Sequence, residues 1–502
     1  MKIRDVIGIL KKNALYLSDF NCENQLDIDI SSVAIHTRNT VKGSLFVCRK
    51  GYKFDSHSLI TEAHNSGAVA FLVERGIDLD IEVPTIQVSD SRTAESLISS
   101  TLYGNPHEKT KMYGVTGTNG KTTVSTMIHY ILSRFGEKGS LMGTVENIIV
   151  DRSSEAYNTT PSAVEINANI DETYRKNGSF VSMEVSSHAL SLKRVESIRY
   201  DYAVLTNITQ DHLDFHKSMD AYKLTKFHLV ELLKKNGTAI LNIDDKRIKE
   251  MIEDIPIDKK IVSYGVKNTR QMPDYAADNI ECGVEGIEFD LYIHKKKTER
   301  VKCPLIGDFN VYNILAGIAL LHREGYELKK ILTYLKSFRG VPGRFELYSH
   351  VGNDIDLVVD FAHTPDALEK TLMNARKMTR NRVIVVFGAG GDSDREKRPI
   401  MGGIAGEYSD VVIVTSDNPK SEMPFDIIKQ IEEGINSETP YLLVEDRKLA
   451  IETAINLTNK GDLVVLAGKG HERFQLFEHT FLPFSDRDIA FQMLRTMKHS
   501  AS

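Results

Sequence analysis

The chain has 502 residues, of which 63 are Lys or Arg and 69 are Asp or Glu, so its formal net charge is −6. At roughly 100–200 residues per domain, this length predicts about three domains, each with its own core. The 41% of apolar and 26% of charged residues are ordinary for a globular protein and exclude a disordered or fibrous chain. A mildly acidic chain lacks the basic excess that follows a phosphate backbone, so we expect no nucleic-acid partner.

The four cysteines, Cys22, Cys48, Cys282 and Cys303, lie far apart in the sequence. Their spacing matches neither a zinc site nor a disulfide framework, so we expect reduced thiols and a cytoplasmic protein. No stretch approaches the roughly 18 consecutive apolar residues of a membrane-spanning helix. The first residues lack the apolar segment of a signal peptide. We expect a soluble monomer.

Strand-like and helix-like segments alternate along the chain and divide it into three units. The first unit covers residues 1–108 and ends just after Gly104–His107, a run of turn-forming residues. The second unit covers 109–340 and begins with a short apolar strand, and the third covers 341–502. The predicted strands of the first and third units are 44–48, 68–73, 383–387, 411–416 and 463–467. Strands that alternate with helices are typical of parallel α/β sheets.

The clearest motif is Gly-Val-Thr-Gly-Thr-Asn-Gly-Lys-Thr-Thr at residues 114–123, which follows a strand and begins an amphipathic helix. A glycine-rich turn at a helix N-terminus binds phosphates through backbone amides, and the Lys121 ammonium adds a positive charge. Val115 stands where the strict pattern has glycine, so a chance glycine-rich turn is the alternative. We predict a nucleoside triphosphate site, with the residues Gly117, Thr118, Asn119, Gly120, Lys121, Thr122 and Thr123.

The loop Gly117–Thr123 resembles the phosphate loop of the Mur ligases, ATP-dependent enzymes that build the peptide stem of peptidoglycan. Further motifs match that family in order along nearly the whole chain. They are Asn158–Thr160, Met183–His188, Thr206–Asn207, Asp211–Asp214, Tyr222 with Lys226, Gly307 with Phe309–Asn310 and Asn313, Gly343–Glu346, Asp360–Ala367, Asp417–Pro419 and Gly468–Glu472. Two of these, Met183–His188 and Gly468–Glu472, resemble the MurE type, which adds the third residue of the stem.

The resemblance implies a function for each unit of this α/β chain. Residues 1–108 are expected to form a small N-terminal α/β domain that binds a UDP-linked substrate. Residues 109–340 are expected to form a central ATP-binding P-loop domain with a parallel sheet. Residues 341–502 are expected to form a C-terminal Rossmann-like domain that binds an amino acid.

Glu184 and His212 each follow a predicted strand, and the carboxyl ends of parallel strands meet at one edge of a sheet. The resemblance implies that both bind magnesium together with the Thr122 hydroxyl. A carboxylate and a hydroxyl are typical magnesium ligands, whereas histidine is the softer choice. The residues alone favour another interpretation of His212, as a loop histidine paired with Asp211 or Asp214.

Lys226 lies on a predicted helix, where a lysine is usually solvated. The resemblance alone implies that it is carboxylated by carbon dioxide and orients magnesium. Lys121 and Arg344 complete the expected catalytic set, and Arg344 is expected to stabilise charge on the transferring phosphoryl group.

The resemblance assigns hydroxyls and a guanidinium to the UDP-linked substrate: Thr37, Thr159, Thr160, Ser186 and Arg194. The threonines before Pro161 have an alternative role as the N-cap of the following helix. The chain departs from the family at Leu192, where glutamine is common, and at His36, where aspartate is common.

The resemblance implies contacts to adenine, ribose and phosphate from Asn310, Asn313, Asp360 and His363. It also implies that ATP lies between the central and C-terminal domains. The two asparagines share one face of a helix, where capping or solvent exposure is the alternative.

The resemblance assigns the incoming amino acid to Asp417, Asn418, Lys420, Gly468 and Glu472. Members that add meso-diaminopimelate typically have arginines where this chain has Ser393 and Lys420. Arginine offers the second carboxylate of diaminopimelate a bidentate partner that lysine does not. L-lysine carries an ammonium there, which Glu472 or Glu422 would bind. The sequence favours L-lysine and leaves meso-diaminopimelate open.

The predicted function is an ATP- and Mg²⁺-dependent amide ligase of peptidoglycan synthesis, and hence of cell shape and division. It adds a diamino acid to the D-Glu of UDP-N-acetylmuramoyl-L-alanyl-D-glutamate through an acyl phosphate. One alternative is a folylpolyglutamate synthetase-like ligase, although those enzymes lack a unit like residues 1–108. Others are a P-loop nucleotide switch without ligase activity and a non-catalytic paralogue.

Overall fold

The structure is a computed structural model, and its described residues form three large sheets flanked by helices and a separate two-stranded sheet within 474–483. It describes residues 1–51, 54–75, 81–267, 272–351, 354–379, 381–436, 438–478 and 480–500. The three sheets lie within residues 16–88, 111–303 and 346–467, which confirms the three-domain α/β fold class. The domain boundaries at 108 and 340 stay predictions. None of the described helices has the length and apolar character needed to cross a membrane.

The N-terminal unit is built on one small sheet. Its elements are α1 (Ile3–Lys12), β1 (Tyr16–Phe20), β2 (Ser32–Ala34), β3 (Ser44–Val47), α2 (Ile60–Asn65), β4 (Ala68–Val73), β5 (Thr85–Val88) and α3 (Ser91–Leu102). The sheet has five strands in the order β1-β5-β4-β3-β2, parallel except for the β1–β5 pair. Helices α1 and α3 pack on it through apolar residues such as Ile7 and Ile98.

The central unit is built on one large sheet with helices on both faces. Its elements are β6 (Lys111–Thr116), α4 (Lys121–Arg134), β7 (Gly139–Met142), β8 (Glu146–Ile149), β9 (Arg152–Glu155), α5 (Ala163–Arg175), β10 (Phe180–Glu184), α6 (Ser187–Ser191), β11 (Tyr200–Leu205), α7 (Leu213–His216), α8 (Met219–Glu231), β12 (Leu233–Asn242), α9 (Lys246–Glu250), β13 (Lys260–Val266), β14 (Tyr275–Gly283), β15 (Gly286–Ile293), β16 (Lys296–Cys303), α10 (Phe309–Glu324) and α11 (Leu328–Leu335).

The central sheet has eleven strands, in the order β16-β15-β14-β13-β12-β11-β6-β10-β7-β8-β9. Its middle, from β14 to β7, is parallel, as the sequence predicts, but antiparallel hairpins extend both edges. Tight turns connect the strands of these hairpins, and one of them contains Val150 with a positive φ; short turns join antiparallel strands. Strands β6, β10 and β11 are neighbours, so their carboxyl ends meet.

The C-terminal unit is built on a third sheet. Its elements are β17 (Glu346–Val351), β18 (Ile355–Asp360), α12 (Pro365–Met378), β19 (Val383–Phe387), α13 (Lys397–Tyr408), β20 (Val411–Val414), α14 (Pro424–Glu432), β21 (Tyr441–Leu443), α15 (Arg447–Asn456), β22 (Leu463–Ala467), β23 (Phe474–Phe477), β24 (Thr480–Pro483) and α16 (Asp486–Ser500). The sheet has six strands in the order β17-β18-β22-β19-β20-β21, and only β17 is antiparallel to its neighbour. The loops after β19, β20 and β22 therefore lie at one edge of the sheet.

Candidate active site

The phosphate loop lies between β6 and α4, and two positions in it require glycine. Gly117 and Gly120 have φ of 150° and 87°. A Cβ at Gly117 would lie 1.8 Å from Thr206 Oγ1, and one at Gly120 would lie 2.3 Å from Asn313 Oδ1. The loop is therefore packed against two other elements, which is not expected of a chance turn.

The end of β11 holds this loop in place. The backbone N–H groups of Thr118 and Asn119 donate to the backbone oxygen and to Oδ1 of Asn207, both at 2.9 Å. The Thr206 hydroxyl donates to the Asn119 carbonyl at 2.6 Å. The shape of the phosphate loop therefore depends on the neighbouring strand end.

Lys121 folds back over the loop, where its Nζ donates to the carbonyls of Gly117 at 2.9 Å and Thr118 at 2.8 Å. Burial lowers the pKa of Lys121, and the nearby carboxylates of Glu184 and Asp211 oppose that shift. The ammonium therefore closes the loop and is placed to meet phosphate.

Thr122 and Glu184, two of the expected magnesium ligands, are in contact. The Thr122 hydroxyl donates to Glu184 Oε2 at 2.8 Å and accepts from Arg344 Nη2 at 3.0 Å. Thr144 orients the same carboxylate, since its N–H and hydroxyl donate to the two Glu184 oxygens at 2.7 and 3.0 Å. Glu184 is the last residue of β10 and is buried.

His212, the third expected ligand, contacts Asp211, and no described hydrogen bond joins it to this pair. Its Nε2 lies 3.2 Å from Asp211 Oδ2, the contact that the sequence-only interpretation predicts, and its ring lies 4.7 Å from that of His188. Burial lowers the pKa of His212 to about 3, against the opposing charge of Asp211. No three His, Cys, Asp or Glu side chains in the described part of the chain converge as a metal cage.

Lys226 is 1% exposed, so the alternative of a solvated lysine is wrong. Its Nζ donates to the Gly117 carbonyl at 2.7 Å and lies 4.5 Å from the centre of the Tyr222 ring. Burial lowers the pKa of Lys226 well below its ordinary value, and the Lys121 charge adds to this shift. A buried amine without a carboxylate partner is favoured in its neutral form.

Three of the residues expected to bind the UDP-linked substrate, Thr160, Ser186 and Arg194, are linked to one another and to the main chain of Glu184. Thr160 Oγ1 donates to the Glu184 carbonyl at 2.8 Å and accepts from the Ser186 N–H at 3.0 Å. Arg194 Nη1 donates to the Thr160 carbonyl at 2.8 Å. The N-cap alternative for the threonines is wrong, because Ser162 caps α5.

Thr159 and Thr37 make other contacts. The Thr159 hydroxyl lies 3.2 Å from Thr144 Oγ1. Thr37 begins a short 3₁₀ turn in the N-terminal unit, and no described contact links its side chain to Thr160. The N-terminal and central units meet elsewhere, for example through the hydroxyls of Ser96 and Ser197 at 3.0 Å.

Asn310 and Asn313 are buried on α10, so solvent exposure is wrong for this pair. Asn313 Nδ2 donates to Asn310 Oδ1 at 2.7 Å, and Asn310 Nδ2 donates to the Ile306 carbonyl at 2.7 Å. Only Asn313 packs directly against the phosphate loop, at Gly120.

Asp360 shapes the turn that carries Arg344. Its carboxylate accepts from the N–H groups of Phe345 at 2.5 Å and Ala362 at 2.9 Å. Burial raises the pKa of Asp360, and these bonds oppose that shift. His363 lies beside this turn, with Nδ1 2.8 Å from the Phe361 carbonyl. Nucleotide binding by Asp360 and His363 stays a prediction.

The expected amino-acid site lies on the loops after β20 and β22. Lys469 Nζ is fully buried and donates to Glu472 Oε2 at 2.8 Å and to Asn418 Oδ1 at 2.9 Å. Asp417 is 7% exposed, and its Oδ2 has no hydrogen-bond partner among the described residues. Burial would raise the pKa of Asp417, but the charges of Lys469 and Arg447 outweigh it and lower that pKa.

Glu422 on the same edge is paired as well. Its two oxygens accept from both Nη atoms of the buried Arg398 at 2.9 Å, and Arg395 lies 3.1 Å away. The Lys420 ammonium, in contrast, has no carboxylate within ion-pair distance in the described ranges.

Comparison with known proteins places this site in a family. The profile of the Mur ligase middle domain matches residues 115–321, and that of the Mur ligase, glutamate ligase domain matches 343–470. A UDP-N-acetylmuramoyl-L-alanyl-D-glutamate–2,6-diaminopimelate ligase of Syntrophomonas wolfei is 40% identical, over 98% of this chain and 99% of that protein. The chain belongs to the Mur ligase family. Within it, the chain is of the MurE type, as the motifs predict.

Other relatives agree. A protein of the same name, numbered 1, from Clostridium acetobutylicum is 38% identical, over 99% of this chain and all of that protein. A solved diaminopimelate ligase structure matches with a TM-score of 0.67 and 27% identity, over 99% of both chains. MurF ligase from Thermotoga maritima, solved with ADP, has the same fold, with a TM-score of 0.64, 19% identity and coverage of 94% and 98%.

This Mur ligase is an ATP-dependent enzyme that requires Mg²⁺, and its donor set fits both. Hydroxyl and carboxylate oxygens, as in Thr122 and Glu184, are the ligands that Mg²⁺ prefers. The glycine-lined loop and Lys121 fit a triphosphate.

The sequence predicts no role for two residues of this Mur ligase site, Thr144 and Asp366. Thr144 carries no motif, and its contact with Glu184 depends on pairing of β7 with β10. Asp366 accepts from Asn119 Nδ2 at 2.6 Å and so joins the phosphate loop to α12. The family motifs contain Asp366, but without a role.

Proposed function

We propose that the chain joins a diamino acid to the D-Glu of UDP-N-acetylmuramoyl-L-alanyl-D-glutamate, at the expense of ATP, during peptidoglycan synthesis. The observation that carries the proposal is the double use of Glu184. Its carboxylate contacts Thr122 of the phosphate loop, and its carbonyl accepts from Thr160, which is expected to bind the UDP-linked substrate. A triphosphate and an acceptor carboxylate bound at these two places would be neighbours.

In the first step, an oxygen of the D-Glu side-chain carboxylate attacks the γ-phosphorus of ATP. The bond from that phosphorus to the β–γ bridging oxygen breaks, so ADP leaves and an acyl phosphate forms. Such transfer needs positioning and charge stabilisation rather than covalent catalysis. Lys121 and Arg344 supply two cations at the loop, and Mg²⁺ held by Thr122 and Glu184 would neutralise further phosphate charge.

In the second step, the amine of the diamino acid attacks the carbonyl carbon of the acyl phosphate. The carbon–oxygen bond to phosphate breaks, inorganic phosphate leaves, and the amine proton is lost to solvent. Asp417 supports this assignment, because its buried Oδ2, which has no hydrogen-bond partner among the described residues, is an acceptor for an ammonium group of the bound diamino acid.

We propose that Lys226 is carboxylated in the working enzyme. Only a neutral amine adds to carbon dioxide, forming a nitrogen–carbon bond and losing a proton, and burial favours that form of Lys226. The product is an anion beside Gly117, close to the expected magnesium ligands. Intact-mass measurement under mild conditions, with and without bicarbonate, tests this step, and Lys226→Gln is the control.

The proposed third residue is meso-diaminopimelate, although the sequence favours L-lysine. Both carboxylates that would bind the ammonium of L-lysine already pair with cations, Glu472 with Lys469 and Glu422 with Arg398. Lys420 offers a cation without a described partner, which suits the second carboxylate of diaminopimelate. The names of the relatives support the same substrate.

The location and assembly are also proposals. All four cysteines are free thiols, which suits a reducing cytoplasm. We propose a cytoplasmic monomer, which size-exclusion chromatography with light scattering tests.

Release of ADP from ATP and Mg²⁺ tests the function. We expect release only when UDP-muramoyl-dipeptide and meso-diaminopimelate are both present. Release that depends on a folate and glutamate would favour the folylpolyglutamate alternative. Release that ignores every acceptor would leave a nucleotide switch.

A further inference from the structure

Arg447 is a fully buried arginine behind the expected amino-acid pocket, at the start of α15. Its Nη2 donates to the Ala467 carbonyl at 2.9 Å and its Nη1 to the Ser416 carbonyl at 3.4 Å. Ala467 ends β22, and Ser416 lies just after β20. One guanidinium therefore bonds to the main chain at the two points where the loops of the pocket begin.

Asp486 holds the other edge of this guanidinium. Its two oxygens accept from Nε and Nη2 of Arg447, both at 2.7 Å, and both side chains are 0% exposed. A buried ion pair is costly to desolvate, and apolar residues of similar volume are often equally stable. We therefore consider the position in which Asp486 holds the Arg447 guanidinium, rather than the contribution of this ion pair to stability.

The two loops face each other at Asp417 and Gly468. A Cβ at Gly468 would lie 2.5 Å from Asp417 Oδ2, the buried oxygen for which the described part of the chain offers no hydrogen-bond partner. Gln475 holds the same loop from another side, since its Nε2 donates to the Asp417 carbonyl at 3.0 Å. A small change in the distance between the loops would therefore alter the surroundings of that oxygen.

We infer that Arg447, fixed by Asp486, is a positioning residue that sets the separation of the loops carrying Asp417 and Glu472. It touches neither substrate nor reacting atoms, and it acts through the two main-chain carbonyls. Lysine cannot replace it, because a single ammonium lacks the planar set of donors that reaches two carbonyls and a carboxylate together. The identity of the ligand in this pocket rests on the proposed function.

Steady-state kinetics of Arg447→Lys and Asp486→Asn test the inference. We expect the KM for the diamino acid to rise at least tenfold, while the KM values for ATP and for the UDP-linked substrate stay within twofold. The matched control is Arg382→Lys, since Arg382 pairs with Asp462 at 2.6 Å at the opposite end of β22 and of its neighbour β19. The control should lower Tm without changing any KM.

A merely structural role would lower kcat with the folded fraction and leave the KM for the diamino acid unchanged, which would overturn the inference. Should Arg447→Lys fail to fold, Asp486→Asn decides by the same comparison, because it keeps the shape of the side chain. A wild-type enzyme that is inactive with every diamino acid would refute the proposed function instead.

Discussion

Arg344 donates a hydrogen bond of 3.0 Å to the Thr122 hydroxyl across 222 positions of sequence. Thr122 belongs to the phosphate loop and Arg344 to the turn before the C-terminal sheet. Because the same hydroxyl donates to Glu184, two expected catalytic residues, Arg344 and Glu184, meet at the hydroxyl of Thr122, an expected magnesium ligand. The C-terminal unit therefore contributes directly to the triphosphate site.

Removal of this hydroxyl should disable the enzyme without unfolding it. Thr122→Val keeps the volume but loses both hydrogen bonds, and we expect kcat to fall by about 10²–10³, the usual effect of losing one such electrostatic contact. Thr122→Ser retains the hydroxyl and should keep most of the activity. ADP release measures both variants. A valine variant within threefold of the wild type would contradict this role of Thr122.

The buried amine of Lys226 should make stability depend on pH. Burial lowers the pKa of Lys226 in the folded chain. At pH values between that lowered pKa and the ordinary value of about 10.4, the unfolded chain therefore binds a proton that the folded chain does not. The free energy of unfolding therefore rises with pH in this range, by up to about 1.4 kcal/mol per unit. In carbon dioxide-free buffer, the stability of the wild type relative to Lys226→Met should therefore increase as the pH rises toward about 10.

The control for this prediction is Lys223→Met, on the same helix. Lys223 is 20% exposed and lies near Asp220 and Glu250, so its loss should leave the pH dependence of the wild type in place. Urea unfolding at each pH gives the free energies. A constant difference between wild type and Lys226→Met across the range would show that Lys226 is protonated when folded.

Two glycines with positive φ should respond differently to alanine. A Cβ at Gly117 would lie 1.8 Å from Thr206 Oγ1, whereas one at Gly136 would have no heavy atom within 4 Å. Gly117→Ala should displace the loop and raise the KM for ATP at least tenfold. Gly136→Ala should cost about 1 kcal/mol of backbone strain and leave that KM unchanged. Equal kinetic effects would contradict the assigned loop geometry.

The charge at Lys420 should decide between the two diamino acids. Lys420→Glu replaces the cation expected to bind the second carboxylate of diaminopimelate by an anion that suits the ammonium of L-lysine. We expect the ratio of kcat/KM for meso-diaminopimelate over L-lysine to fall at least tenfold. Lys429→Glu is the matched control, because the Lys429 side chain on α14 is half-exposed. An unchanged ratio in the Lys420 variant would exclude this residue from selection.

The parts of the site that local patterns predict are the ones that lie at element ends. The helix after the phosphate loop begins at Lys121 and Glu184 ends its strand, because glycine turns and apolar runs are visible within a few residues. The sequence does not reveal that Lys226 is buried, since its partner Gly117 lies 109 positions away. Pairs such as Arg447 and Asp486 also leave no local signal.

The order of strands limits the prediction in the same way. Alternation of strands and helices predicts the parallel middle of the central sheet, but not the hairpins at its edges. Those hairpins lie at the two edges of the strand order, and the position of a strand in that order is a property of the whole sheet. Thr144 escapes prediction for this reason, because only the pairing of β7 with β10 brings it to Glu184.

The most direct test of the account is a competition measured by product mass. The purified chain is incubated with ATP, Mg²⁺, UDP-muramoyl-dipeptide and equal amounts of L-lysine and meso-diaminopimelate. The molecular masses of the uridine nucleotides are then measured by mass spectrometry. The account predicts a UDP-muramoyl-tripeptide that carries diaminopimelate. A product that carries lysine would contradict the proposed third residue, and the absence of any tripeptide would contradict the ligase itself.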